Sequence, residues 1–363
     1  MKNIKSKTRN NMKNIIFGLL ASVLFIVTAC IKDIKKNEFD KAALLQNFAD
    51  NIIQPRYADF KTKIDSLEIL FIAFQLNPTE AKFEDLKAQW KVCYLSFQRV
   101  KTFDFGPAMN AGFKSAIGTF PTDTVQIASN ISAGTYNLAT VTNSDAVGLA
   151  ALDYLFFATN AYSNLTSNAS YSQYCLDVIQ KMKQETNALV SAWTSFRATF
   201  IASTGNESTS MFSMLVNDFC QDWEEAKAAK LGIPLGKYSL GIQRPEYIEA
   251  RYSGYSLPIL KASLSSIAEI YSGTGTNGQD GIGFDDYLIS LKKESLNSTI
   301  KDNFRVIDSN FYDFNTNLEN ELTQNPTALE NLFNAISQQV VFIKTDMTAS
   351  FGILITYQDN DGD

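Results

Sequence analysis

Histidine is absent from all 363 residues of this chain. That absence removes several chemistries together. There is no Ser-His-Asp or Cys-His nucleophile pair, no HExxH zinc site and no imidazole general base. What remains for a metal is oxygen, from carboxylates, carbonyls, amides and tyrosine. Such donors suit calcium or magnesium, or ferric iron with tyrosine. Cysteine is scarce, at four residues with no CxxC spacing, so no zinc cluster is expected. Glycine and proline are sparse, at 18 and 8 residues, which argues against disorder beyond the first residues. No segment alternates apolar and polar residues for long, so strands should be few. The net charge is -6, and no basic block follows the N-terminus, which argues against a nucleic-acid partner.

The N-terminus is a different matter. Residues 1–14 are basic, residues 15–29 form an apolar run, and Cys30 follows. A basic region, a short apolar stretch and small residues before the cut describe a signal peptide over 1–29. The run is short for a membrane span; a retained membrane helix is the alternative. Val27-Thr28-Ala29-Cys30 resembles a bacterial lipobox, so Cys30 is the expected lipidation site and residues 30–39 read as a tether. Met12 competes with Met1 as the start. The expectation is a cell-envelope lipoprotein, held to the outer membrane through Cys30 and facing the periplasm or the outside. Cys93, Cys175 and Cys220 then remain, an odd number of thiols. They read as buried small hydrophobes, with a disulfide between two of them as the alternative.

Apolar residues recur at three- and four-residue spacing through most of the chain. Residues 40–76, 79–104, 170–201, 210–230, 245–252, 256–272, 300–322 and 326–343 read as helices, the first kinked or split at Pro55. Residues 108–145 read as short helices and loops, with Ser144 or Asp145 capping the helix that follows. Residues 273–283 read as an exposed loop. The fold class is all-α: two packed helical bundles, 40–160 and 161–363, with the loop after 230 as the other place to divide them.

In that next helix, GLAALDYLFF over 148–157, a lone carboxylate sits in an apolar run. A buried charge needs a partner or a job. Asp153 is therefore either a domain-bridging acid paired with arginine or tyrosine, or an acid at a cleft. Arg56, Tyr57 and Asp59 lie near the Pro55 break. Glu246, Glu249 and Arg251 cluster in PEYIEARY, as a salt-bridged turn or a ligand pocket. At the end of the chain Asp359, Asp361 and Asp363 alternate like the first half of a calcium loop, without its closing glutamate. A solvated acidic tail is the alternative.

Taken in order, IIQPRYADF, KTFDFGPA, AVGLAALDYLFFA, LGIPLGK, PEYIEARYSGYS and TYQDNDGD resemble the imelysin-like family of bacterial envelope proteins, a peptidase family. The resemblance implies a helical fold with two bundle-like domains and an association with iron uptake. The family's GxHxxE motif, in a cleft between the domains, falls on Gly148, Ala150 and Asp153. The glycine matches, alanine replaces the histidine, and aspartate replaces the glutamate. The resemblance therefore implies a binding protein with a degenerate motif, an accessory in iron or nutrient acquisition. A metal-dependent hydrolase using carboxylates alone is the alternative. The cleft candidates are Gly148, Asp153, Asp104, Arg56, Tyr57, Glu249 and Arg251. Asp153, Asp359 and Asp361 are the metal candidates, for iron or calcium. An outer-membrane transport component is the candidate partner.

Overall fold

Phe60, Ile64, Leu67, Phe71 and Phe74 succeed one another at helical spacing, and all are buried. The computed structural model, which describes residues 39–357, places them on one stripe of a long helix. The expected signal peptide, Cys30, the tether up to residue 38, and Asp359, Asp361 and Asp363 lie outside the described residues. The helices of the described residues belong to the unit that begins at Asp40.

The first helix, α1 (Lys41–Asn47), widens into a π-helical turn at Phe48–Ile53 and continues as α2 (Gln54–Leu76). The turn is how the chain accommodates Pro55. Proline has no N–H to give to the carbonyl four residues back, which is that of Asn51. The Gln54 N–H reaches back five residues to Ala49, and the Asn51 carbonyl accepts from the Thr276 N–H at 3.0 Å. Asn47 Nδ2 donates to the Gly273 and Ile282 carbonyls at 2.8 and 3.0 Å. The 273–283 loop is thus pinned to the first helices at both ends.

Thr79 caps α3 (Glu80–Phe97), its hydroxyl accepting from the Lys82 N–H at 3.3 Å. Short helices come next: α4 (Pro107–Ala111), α5 (Phe113–Gly118), α6 (Thr124–Ala133), α7 (Gly148–Phe157) and α8 (Ala161–Ser167). The long α9 (Ala169–Ala202) then lies along α2, which also packs on α3. Trp193 of α9 is buried against Tyr57, Phe105, Phe196 and Phe200, the aromatic centre of this bundle.

Packing partners change across residues 203–210. The second set holds α10 (Met211–Glu225), which runs through a second π turn (Ala226–Gly232) into α11 (Ile233–Leu235). It continues with α12 (Ser256–Tyr271), α13 (Phe284–Ser290), α14 (Glu294–Asn310), α15 (Leu318–Gln324), α16 (Pro326–Val340), a third π turn (Val341–Met347) and α17 (Thr348–Phe351). Trp223 is its counterpart to Trp193, and its indole N–H donates to the Ile336 carbonyl at 2.9 Å. α12 packs on α3 as well as on the second π turn, so it touches both sets.

Two expectations are corrected. Residues 245–252 are a single 3-10 turn at Pro245–Tyr247 and a loop, because the backbone turns extended at Ile248 (φ -65°, ψ 125°) and left-handed at Ala250 (φ 51°). The helix expected over 300–322 ends at Asn310 and resumes at Leu318. The reading of Cys93, Cys175 and Cys220 as buried small hydrophobes holds: all three are free and buried. The all-α expectation holds, with no strand among the described residues.

Candidate functional site

The helix α7 is buried almost all round. It starts at Gly148 with φ 79°, where a Cβ would overlap the Ile117 carbonyl of α5. Only glycine allows so close an approach in that conformation. The capping expected from Ser144 or Asp145 does not occur. The N-cap is Val147, with no side-chain cap bond, and the Asp145 carbonyl is engaged with the Asp123 N–H and the Thr122 hydroxyl at 2.8 and 2.7 Å.

Asp153 has a partner that no side-chain pattern announces. Its Oδ2 accepts from the Tyr252 N–H at 2.9 Å and its Oδ1 from the Ser253 N–H at 3.0 Å. The carboxylate therefore holds two successive peptide groups of the loop that leads into α12. Burial, leaving 2% of the residue exposed, pushes its carboxyl up to about 6, against the pull of those N–H groups.

The next acid inward is Glu249. Its Oε1 accepts from the Tyr94 hydroxyl at 3.0 Å, and its Oε2 pairs with Lys230 on the second π turn. Both partners of that ion pair are buried. Burial holds the Lys230 ammonium below its usual range, with Glu249 opposing the shift. Beyond it, Lys101 pairs with Asp222 in full burial, and the Thr102 hydroxyl donates to the other Asp222 oxygen. Glu225 meets Lys101 at 3.4 Å and Lys114 at 2.6 Å. Three lysines thus face three acids, in a seam that ties the end of α3 and the start of α5 to α10 and the π turn.

Two further carboxylates border this seam. Burial first pushes Asp104 up to about 6, with Lys114 opposing. Burial and then Asp104 push Asp218 up to about 8. Asp104 Oδ1 and Asp218 Oδ2 are buried without a hydrogen-bond partner. Tyr57 lies beside them, its phenol raised well above the usual value by burial and then by both acids. Its hydroxyl donates to the Phe103 carbonyl at 3.0 Å.

Asp153, Glu249, Asp104 and Tyr57 therefore belong to one polar region, with Gly148 at the head of α7. Arg56 lies elsewhere, under α12. It donates to the Arg99 carbonyl at 3.1 Å, to the Ser266 hydroxyl at 2.9 Å and to Glu269 at 2.7 Å. Arg251 is a correction: it turns outward and forks onto Glu319 at 3.1 and 2.7 Å, both side chains about two-fifths exposed. The left-handed Ala250 between Glu249 and Arg251 sends the two side chains apart. Sequence reasoning missed Lys101, Lys114, Lys230, Asp218, Asp222 and Glu225. A signal was present for the acids: 218, 222 and 225 form a helical stripe beside the apolar seam of α10.

A metal held at Ala150 and Asp153 does not fit these residues. Ala150 offers no donor, both Asp153 oxygens face backbone N–H groups, and two N–H donors repel a cation. Among the described residues no group of three or more His, Cys, Asp or Glu is placed to hold a metal ion.

The family model for imelysin matches residues 53–341. The chain belongs to the imelysin family. It is 21% identical over 245 residues to iron-regulated protein A of Synechococcus elongatus, a match covering 64% of this chain and 65% of that protein. The chain thus spans less than two-thirds of that relative's length. Among solved structures, one described as an iron-regulated protein A precursor from Parabacteroides distasonis ATCC 8503 superposes with a TM-score of 0.75 at 15% identity, covering 88% of this chain and 97% of that one. An imelysin-like protein from Psychrobacter arcticum 273-4 gives a TM-score of 0.73 at 17% identity, covering 90% and 99%. These likenesses establish the imelysin fold for the chain.

In Asp153→Asn one of the two loop amides faces an NH2 group in place of an acceptor. Hydrogen exchange at Tyr252 and Ser253 should rise, while α2 and α9 stay protected. Asp218 binds its proton more tightly folded than unfolded, so it lowers stability as pH rises from 3.8 towards about 8. Asp218→Asn should therefore gain on the parent protein across that window, read as a widening difference in Tm. Asp104, Lys114 and Asp222 are the charges that act on it.

Proposed function

We propose that this imelysin-family chain binds rather than cleaves, as an envelope accessory in iron or other nutrient acquisition. The observation that carries this is the state of the motif position: Ala150 replaces the histidine, and Asp153 is committed to the backbone of the 252–253 turn. A carboxylate so engaged is a strut and not a nucleophile, a base or a metal ligand. The iron connection is supported by two of the similar proteins, from Synechococcus elongatus and Parabacteroides distasonis, which are described as iron-regulated. The polar region with Gly148, Asp153, Asp104, Tyr57 and Glu249 is the proposed inter-domain site. An outer-membrane transport component is the proposed partner.

The rival is a carboxylate-only hydrolase. Incubation of the purified protein with unfolded protein substrates, with and without divalent metal, should give no cleavage. Thermal shifts with iron and calcium salts measure binding alongside, since a ligand of the folded state raises its apparent stability. Metal-dependent cleavage that disappears in Asp153→Asn would overturn the binding reading.

Cys30 is the proposed lipid anchor. Cys30→Ser should move the protein from the membrane fraction to the soluble one and remove incorporation of labelled fatty acid. An unchanged membrane fraction would favour a retained N-terminal helix.

A further inference from the structure

Outside the polar region around Asp153 and Glu249, the junction of α2, α3 and α12 encloses open space. Two adjoining cavities of about 340 and 260 Å³ open there. They share Asp59, Ser96 and Arg99. The larger has an apolar side of Val92, Leu95 and Ala262, and the smaller is lined by Arg56 and Thr276. Together they have the size and the mixed lining of a small-molecule site.

The charges there do not balance. Arg56 and Arg99 both donate to a single oxygen, Glu269 Oε2, at 2.7 and 2.9 Å. Asp59 is answered separately, by Lys63 at 3.3 Å and by the Ser96 hydroxyl at 3.0 Å. Two guanidiniums thus share one carboxylate, which leaves one positive charge in excess. The Nε of each arginine is buried without a hydrogen-bond partner. Arg56 is 1% exposed, and burial presses its guanidinium down to about 10, with Glu269 opposing the shift and Arg99 adding a smaller push downward. Arg99 is about two-fifths exposed and reachable from the cavity, while Arg56 behind it is buried. Such a like-charge pair is relieved by an anion, and a guanidinium fork matches a carboxylate's geometry.

We propose that this junction cavity binds a small organic anion, a carboxylate on an apolar body, with Arg99 receiving the carboxylate. The apolar body lies against Val92, Leu95 and Ala262. Arg56 holds Arg99 in place through the Arg99 carbonyl and the shared Glu269. The cavity is walled by helices of both sets, so its ligand would bridge them. It stands apart from Asp153, and it does not depend on any role in iron acquisition.

Calorimetric titration of the purified full chain with benzoate, acetate and inorganic phosphate tests this. Benzoate should bind saturably at one per chain, and acetate more weakly because it lacks the apolar body. Arg99→Gln should weaken benzoate by about tenfold or more, the worth of a charged hydrogen bond. Arg244→Gln, which removes the same charge from an exposed pair with Glu246, should not. Ala262→Leu leaves both arginines intact and fills the apolar side, so it should also abolish benzoate binding. No saturable binding of any probe, or equal affinity in Arg99→Gln, overturns the proposal. Phosphate binding more tightly than benzoate overturns the carboxylate assignment.

Discussion

Charge balance in a dry interior is the constraint on which the rest of this molecule depends. Two buried or half-buried lysines, Lys101 and Lys114, face Asp222 and Glu225 across the boundary between helix sets, and a third, Lys230, faces Glu249 within the second set. Removing one member of such a seam would leave a partner charged and out of water, which costs several kcal/mol (about 3–5). Asp104, Asp153 and Asp218 lie in excess of that balance, and burial pushes their carboxyls up, to about 6, 6 and 8. The two helix sets are thereby joined by the Lys101–Asp222 and Lys114–Glu225 pairs.

The same logic applies to Asp153, an acid that could not stay buried and unpaired. It has been satisfied by peptide N–H groups, which supply donors without adding a charge. That solution fixes the loop ahead of α12. Because α12 also packs on α3, the position of Asp153 bears on how the two helix sets meet.

Much of the fold was legible in the chain. The stripe from Phe60 to Phe74, the seam from Tyr174 to Phe200 and that of α10 are unbroken by glycine or proline, and each became a helix. The site was legible only in pieces. Asp153 was singled out correctly as an acid in an apolar helix, but its partners are backbone groups and carry no side-chain signature. Glu249 and Arg251 looked like one cluster, and the φ of a single alanine separates them. Lys101 and Asp222 lie 121 residues apart, so their pairing is a product of the packing and not of any local pattern.

Pro55 carries one more consequence. By withholding an N–H, it leaves the Asn51 carbonyl for the Thr276 amide to take. A gap in one helix thus becomes a docking point for a loop from the other end of the chain. The first helices thus cannot satisfy their own backbone, and a loop of the second helix set supplies the donor that they lack.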